Sequence, residues 1–217
     1  MLMFIVVTAG MMRNKRDIML VLGITGGVGS GKSRVLNELK DNYNAYIIEA
    51  DKLAHELMEP GKVIYNAVVE AFGQEILAVL EPFAIDRMKL GAIVFNDKAQ
   101  LEKLNSIVHP LVKESILQSI AEQRANNTKL FVIEAALLIE DGYKAICDEL
   151  WYVYVDQETR ISRLMLQRNY TREKSLSIMQ SQSPDSYYKE NCEFVIDNTG
   201  DYSDTSKQIK ARLNNVL

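Results

Sequence analysis

The sequence predicts an α/β fold built on a five-stranded parallel sheet. Five short apolar runs recur along the 217 residues, and segments with helical spacing alternate with them. The runs are apolar throughout rather than at every second residue, which is typical of strands buried on both faces of a parallel sheet. In chain order they lie within IMLVLGIT, AYIIEAD, KLFVIEAALLIE, ELWYVYVD and CEFVIDN.

Between the second and third runs the chain shows only helical patterns. From about 52 to 128, the segments IDRMKLGAIVF, KAQLEKLNSIV and LVKESILQSIAEQRAN have amphipathic spacing, and His109-Pro110 is expected to separate the last two. Because this interval is too long for a simple crossover, we expect a helical insert that recognises a second substrate. A polar, Arg-rich segment at about 158–189 is expected to form a mobile lid.

Composition narrows the class of protein. A net charge of −4 argues against nucleic acid as the main partner, because a polyanion favours a basic surface. Cys147 and Cys192 lie far apart without CxxC spacing, so we expect neither a disulfide framework nor a zinc site, and the cytoplasm is the expected compartment.

Residues 1–18 form an apolar start followed by a basic cluster. The run MLMFIVVTAGMM is shorter than the ~20 residues that span a bilayer, and no basic segment precedes it as in a signal peptide. We expect a disordered extension or a mis-assigned start, with Met19 directly before the first strand, rather than a membrane anchor.

A phosphate-binding loop follows the first strand. The pattern Gly-x-x-x-x-Gly-Lys-Ser, from Gly26 to Ser33, lies between a predicted strand and a predicted helix, which is the context that this motif requires. Glycines allow successive N–H groups to face phosphate oxygens, and the helix start adds positive potential. Lys32 is expected to reach the β- and γ-phosphates, and the Ser33 hydroxyl is expected to bind Mg²⁺. The candidate nucleotide-binding residues here are Gly27, Val28, Gly29, Ser30, Gly31, Lys32 and Ser33.

Guanine specificity is not supported by the sequence. Asn14-Lys15-Arg16-Asp17 matches the NKxD pattern, but it precedes the phosphate loop, whereas GTPases carry it after a later strand. We interpret this match as chance.

Two acidic residues follow predicted strands at the edge where ligands bind in open α/β sheets. Asp51 can orient or deprotonate an attacking hydroxyl, or it can cap the helix that is expected to begin near Lys52. Glu134 can hold a magnesium-bound water, or it can be a structural partner of the phosphate loop. The residues alone leave both pairs of roles open.

Seven motifs between about Leu20 and Asp201 together resemble the dephospho-CoA kinase family. In chain order they are GITGGVGSGKSRV, EADKLAHELMEPG, AFG, IDRMKLGAIVF, LNSIVHP, ALLIE and VIDNTGD. The resemblance implies ATP- and Mg²⁺-dependent phosphorylation of the ribose 3′-hydroxyl of dephospho-CoA, which gives coenzyme A and ADP in the final step of coenzyme A biosynthesis. It also implies a three-layer P-loop kinase fold with a helical CoA-domain insert and a lid.

The resemblance divides the chain into an extension and one kinase domain. The extension covers 1–18 and the domain covers 19–217, with a core at 19–51, 129–157 and 190–217, the acceptor insert at about 52–128 and the lid at about 158–189. The implied partner is the small molecule dephospho-CoA, with no nucleic acid and no membrane, and the chain is expected to be a monomer or a weak homo-oligomer.

On the nucleotide side, the resemblance implies catalytic roles for Asp51, Lys32 and Arg168. Lys32 matches the phosphate-binding lysine, and Ser33 matches the magnesium ligand. Arg168 matches the lid arginine that neutralises charge on the transferring phosphoryl group. Asn198 lies in a C-terminal loop that resembles the adenine-side wall of the ATP site.

On the acceptor side, the resemblance implies that Asp51, His55, Arg87 and His109 bind substrate. Arg87 belongs to the DR motif and His109 to the HP motif, although a solvated helix charge and a helix-ending histidine are the simpler interpretations of the residues themselves. His55 stands where many family members have arginine. In the lid, a family glutamine is matched by Gln180.

Two other functions compete with this one. A P-loop kinase for another small acceptor, such as a nucleoside, shikimate or gluconate, needs less protein to enclose its substrate than the long insert provides. A nucleotide-binding regulator that signals through a partner does not need an acid beside the phosphate loop.

Overall fold

The computed structural model describes residues 19–217, and the predicted extension at 1–18 lies outside the described residues. All five predicted strands form, and they pair in parallel in the order β2-β3-β1-β4-β5, which confirms the predicted sheet. The strands are β1 (Leu20–Thr25), β2 (Tyr46–Glu49), β3 (Leu130–Glu134), β4 (Glu149–Tyr154) and β5 (Phe194–Asp197).

Residues 19–217 also form nine α-helices and two short 3₁₀ turns, of which the last α-helix follows β5 and the others lie between strands. Four of the helices lie between β2 and β3, where the helical insert is predicted, and three lie between β4 and β5, in the predicted lid segment. The helices are α1 (Lys32–Tyr43), α2 (Ala50–Leu57), α3 (Val63–Phe72), α4 (Arg87–Val94), α5 (Lys98–Ala125), α6 (Gln157–Arg168), α7 (Arg172–Gln180), α8 (Asp185–Asn191) and α9 (Tyr202–Val216).

The sheet has apolar cores on both faces, because alternate residues of its buried strands point in opposite directions. On one face, Leu22 and Trp151 pack in a core with residues of α1 and α9. On the other, Val21 and Phe131 pack in a core with residues of the insert helices. These two cores produce the predicted three layers, and Trp151 is fully buried in one of them.

The topology places the phosphate loop at a switch point of the sheet. β1 is central, the chain next forms β2 beyond the position of β3, and β4 is added on the opposite side of β1. In sheets of this kind ligands bind outside the carboxyl ends of the strands at the reversal of strand order. The segments after β1, β2 and β3 therefore meet at one edge.

One sequence prediction about the insert is wrong. His109-Pro110 does not separate two helices. Instead, Pro110 lies inside α5, which is 28 residues long. Val108, Val112, Ile116 and Ile120 form a stripe at four-residue spacing that is buried in the insert core. A proline inside a helix costs about 3 kcal/mol, whereas each fully buried aliphatic side chain contributes about 1.5–3 kcal/mol, so packing keeps the helix continuous.

The boundary after β2 also differs from the sequence prediction. The strand ends at Glu49 and α2 begins at Ala50, so Asp51 lies in the first helical turn rather than at the end of the strand or in the capping position. Glu49 occupies the N-cap position and makes no side-chain capping bond. The acidic side chain of Asp51 is nevertheless favoured there, because the first turn of a helix has positive potential.

None of the helices in residues 19–217 has the length and apolar character needed to cross a membrane.

Candidate active site

A cavity of 540 Å³ opens at the carboxyl edge of the sheet, and the loop between β1 and α1 forms one of its walls. The structure brings all the predicted nucleotide-binding residues to this cavity, together with the lid residue Arg168. These residues are Gly27, Val28, Gly29, Ser30, Gly31, Lys32, Ser33 and Asn198.

The loop turns at two glycines whose backbone conformation other residues adopt only with strain. Gly29 and Gly31 have φ angles of 77° and 84°, in the left-handed region. A Cβ atom on Gly31 would lie 2.5 Å from Nδ2 of Asn198, so a side chain is also excluded by close packing. The loop thus follows a compact path that leaves its backbone close to whatever occupies the cavity.

Lys32 is the first residue of α1, and its ammonium group lies across the loop. Its Nζ donates to the carbonyl of Gly26 at 2.6 Å and lies 3.5 Å from Oε1 of Glu134. The buried hydroxyl of Ser30 has no hydrogen-bond partner among residues 19–217. An unpartnered hydroxyl in a glycine-rich cradle beside an ammonium group is suited to an anionic ligand.

Three carboxylates stand where β2 and β3 end. Glu49 and Glu134 are paired in register on the two strands, and Asp51 follows in α2. Burial raises the pKa of Glu134; the positive charge of Lys32 opposes this, and the negative charge of Asp51 adds to it. Glu49 and Glu134 line the phosphate-loop cavity, so acidic oxygens and the Ser33 hydroxyl share one space.

Asn198 connects the end of β5 to the phosphate loop. Its Nδ2 donates to the carbonyl of Ser30 at 2.8 Å, and its Oδ1 accepts from the hydroxyl of Thr205 at 2.9 Å. Its backbone carbonyl accepts from Arg163 at 2.8 Å. The side chain is 3% exposed, so its polar atoms hold the loop in place in this conformation.

The lid arginines have different environments. Arg168, at the end of α6, is exposed and lines the cavity. Arg160 is buried and donates from Nε to the carbonyl of Val28 at 3.0 Å. Both arginines belong to the Arg-rich segment that the sequence predicts as a lid, but only Arg160 is buried.

The predicted acceptor residues separate into two cavities. Asp51 and His109 line one of 120 Å³, in which Nδ1 of His109 lies 3.0 Å from Oδ1 of Asp141. His55 and Arg87 line the other, of 310 Å³ and mostly apolar walls. Because Asp51 and His55 are four residues apart on α2, this helix borders both cavities.

Sequence reasoning missed three residues of this region. Glu49 lines the nucleotide cavity, Asp141 pairs with His109, and Gln182 accepts the N–H of Val28 at 3.2 Å. Gln180, the residue matched to the family glutamine, is exposed at the end of α7. The "EAD" run at the end of the second strand signalled acidic character at Glu49, but no local pattern marked Asp141 or Gln182.

The sequence of the chain matches the model of one protein family. A family model described as dephospho-CoA kinase matches residues 20–204, which include the phosphate loop, the insert and the lid. The chain belongs to the dephospho-CoA kinase family.

Individual relatives with similar sequences belong to the same family. A dephospho-CoA kinase from Lactobacillus johnsonii is 40% identical over 195 residues, covering 90% of this chain and 97% of the relative. One from Carboxydothermus hydrogenoformans is 37% identical over 192 residues, covering 88% and 92%. Members of this family are kinases of coenzyme A biosynthesis. The chain therefore belongs to a kinase family and not to a family of nucleotide-binding regulators.

Solved structures confirm the fold. A crystal structure from Thermus thermophilus superposes with a TM-score of 0.74 at 27% identity, covering 92% of this chain and 98% of that one. A shikimate kinase from Acinetobacter baumannii, in complex with shikimate, has a TM-score of 0.50 at 13% identity, covering 93% and 97%. The fold is therefore shared with this shikimate kinase as well.

Proposed function

We propose that the chain transfers the γ-phosphoryl group of ATP to the ribose 3′-hydroxyl of dephospho-CoA, giving coenzyme A and ADP. The observation that carries this proposal is the position of Asp51: it lies two residues after Glu49, which lines the phosphate-loop cavity, and it lines the neighbouring cavity with His109. Membership of the dephospho-CoA kinase family supports the acceptor.

On the nucleotide side, Lys32 and the loop amides bind the phosphates, and Asn198 forms part of the wall beside the nucleotide. The unpartnered Ser30 hydroxyl and the oxygen groups of Ser33, Glu49 and Glu134 suit a phosphate with a hard divalent cation. Ser33 would be the protein ligand of Mg²⁺, which offsets charge on the phosphates when it is bound. Within residues 19–217 no three His, Cys, Asp or Glu side chains, including the three carboxylates at the ends of β2 and β3, are arranged to hold a metal ion by themselves, so most ligands would be phosphate oxygens and water.

On the acceptor side, Asp51 orients the 3′-hydroxyl and accepts its proton as the oxygen attacks the γ-phosphorus, with ADP leaving on the opposite side. His109 binds acceptor in the cavity that it shares with Asp51. His55 and Arg87 bind more distant parts of the acceptor from the larger cavity. With these roles, the proposed core comprises 19–51, 129–157 and 190–217, and the proposed acceptor insert comprises about 52–128.

The segment 158–189 is proposed to close over the nucleotide. Arg168 lies on the cavity wall, where its guanidinium can approach the transferring phosphoryl group and neutralise charge. Closure excludes water and so limits the loss of ATP by hydrolysis.

The working context is proposed to be a monomer or weak homo-oligomer in the cytoplasm. The two cysteines, Cys147 and Cys192, are free, and burial raises the pKa of each thiol to about 12. Protonated, partly buried thiols of this kind are compatible with a reducing compartment.

The test is an ADP-release assay with Mg-ATP, with and without dephospho-CoA, followed by mass spectrometry of the product. ADP release that depends on dephospho-CoA, together with one added phosphate on the acceptor, is the expected result. Folded protein that binds ATP but releases no ADP in response to dephospho-CoA would refute the acceptor and favour another small-molecule kinase activity.

A further inference from the structure

The Val28 peptide groups of the phosphate loop are both bound by side chains from the lid segment. The N–H of Val28 donates to Oε1 of Gln182 at 3.2 Å, and its carbonyl accepts from Nε of Arg160 at 3.0 Å. Nη2 of Arg160 also donates to the same oxygen of Gln182 at 2.7 Å. These three hydrogen bonds form a closed triangle, here named the Val28 clasp.

The clasp is partly buried, and its arginine is connected to the sheet. Arg160 is 7% exposed, and its Nη1 lies 4.0 Å from Oδ1 of Asp185. The same carboxylate oxygen accepts from the hydroxyl of Tyr152, on β4, at 2.5 Å. A Cβ atom on Gly27 would lie 2.1 Å from Nη2 of Arg160, so the guanidinium packs directly on the loop backbone. A buried guanidinium with several defined partners holds one geometry.

The clasp holds two points inside the proposed lid segment 158–189, so the part of the lid that is free to move is the span between them. Arg160 belongs to the first turn of α6, and Gln182 lies between α7 and α8. Residues 161–181, which include Arg168, form the span between these two points. Movement of that span leaves its two ends held on the same residue of the phosphate loop, Val28.

We propose that Arg160 and Gln182 are positioning residues for nucleotide binding, which hold the Val28 peptide groups in place before ATP arrives and tie the lid to the phosphate loop. The inference rests on the proposed binding of ATP at this loop and adds two residues that do not themselves need to touch it. Preorganised loop amides bind phosphates without first reordering, so loss of the clasp weakens nucleotide affinity.

Gln182 is the residue to change, because one oxygen atom accepts from both donors. Gln182→Ala removes this acceptor from Val28 and from the buried Arg160, and we expect ATP and ADP to bind about tenfold more weakly. Gln182→Glu keeps an acceptor for both donors, and we expect affinity within about threefold of wild type. Gln118→Ala is the matched control, because the same residue type is exposed on α5, outside the lid and the phosphate loop, and we expect no change.

Titration calorimetry with Mg-ATP and with Mg-ADP, in the absence of acceptor, measures these affinities. Steady-state kinetics then provide a second readout: the KM for ATP rises about tenfold in Gln182→Ala, whereas the KM for dephospho-CoA stays within about twofold. A general loss of structure would not separate the two KM values, nor would it be rescued by Gln182→Glu.

The proposed role of the clasp is overturned if Gln182→Ala binds nucleotide with wild-type affinity. It is also overturned if the nucleotide affinity of Gln182→Glu is as low as that of Gln182→Ala. Should Gln182→Ala fail to fold by circular dichroism, Arg160→Lys replaces it: it keeps the charge but loses the guanidinium fork, and wild-type affinity in this variant overturns the proposal. Wild-type chain that binds ATP but does not phosphorylate dephospho-CoA refutes the proposed function alone, whereas wild-type chain that binds no ATP refutes both.

Discussion

Replacement of Asn198 by alanine is expected to destabilise the fold measurably. The wild-type side chain is buried, donates to the Ser30 carbonyl at 2.8 Å and accepts from Thr205 at 2.9 Å. Asn198→Ala removes both bonds. Thr205 keeps a second acceptor in the carbonyl of Asp197 at 3.3 Å, whereas the Ser30 carbonyl loses a buried donor.

The magnitude follows from these contacts. Each hydrogen bond contributes about 1 kcal/mol net, and an unsatisfied buried carbonyl adds a penalty of about 1 kcal/mol or more. We therefore expect the free energy of unfolding to fall by about 2–3 kcal/mol. For a domain of this size, that loss corresponds to a decrease in Tm of roughly 5–10 °C.

Urea denaturation followed by circular dichroism measures the difference. Asn126→Ala is the control, because Asn126 is exposed after the end of α5, and we expect a change of less than about 0.5 kcal/mol. An unfolding free energy for Asn198→Ala within 0.5 kcal/mol of wild type would refute the role of the side chain in holding the loop.

Asn198→Asp tests the direction of the bond to Ser30. The carboxylate keeps an acceptor for Thr205 but places a second acceptor against the Ser30 carbonyl, so its native-state pKa should be raised. A raised carboxyl pKa means that the folded state retains the proton to higher pH, so stability relative to wild type should recover as pH falls. If the loss of stability in Asn198→Asp did not change with pH, the assignment of Asn198 Nδ2 as the donor to the Ser30 carbonyl would be contradicted.

Three further predictions concern the site and the insert. Asp51→Asn should lower kcat by about 10²–10⁴-fold and change the ATP dissociation constant by less than about threefold, because it removes the proton acceptor and leaves the phosphate loop intact. Glu134→Gln should raise the free energy of unfolding at pH 7.5, and this gain should shrink towards pH 4.5, because burial raises the pKa of the native carboxyl. Pro110→Ala should raise the free energy of unfolding by about 1–2 kcal/mol, because it restores a donor to the Ser106 carbonyl within α5.

Each of these three predictions can be contradicted by a specific result. Unchanged turnover in Asp51→Asn would exclude that residue as the base. A constant difference between Glu134→Gln and wild type over the same pH range would show that the native carboxyl is not perturbed. A Pro110→Ala chain less stable than wild type would show that packing at the proline, rather than a tolerated break in hydrogen bonding, sets the cost.

Fold class was predictable because its signals are local. The continuous apolar runs predicted five strands buried in a parallel sheet, and all five form. The phosphate loop was predictable for the same reason: the glycine spacing from Gly26 to Ser33, a strand before it and a helix after it lie within about 20 residues. Pro110 shows the limit of local reasoning, because a helix breaker is overridden by a buried stripe whose partners are distant in sequence.

The partners of each polar side chain were decided by tertiary structure. The sequence alone identified the phosphate loop, the five strands and the helical insert, because backbone propensity and hydrophobic spacing act between neighbours. It could not distinguish buried Arg160 from exposed Arg168 in the same helix, or select Gln182 rather than Gln180. Those outcomes depend on contacts across 132 and 154 residues to Val28, which arise only when the lid segment packs against the loop after β1.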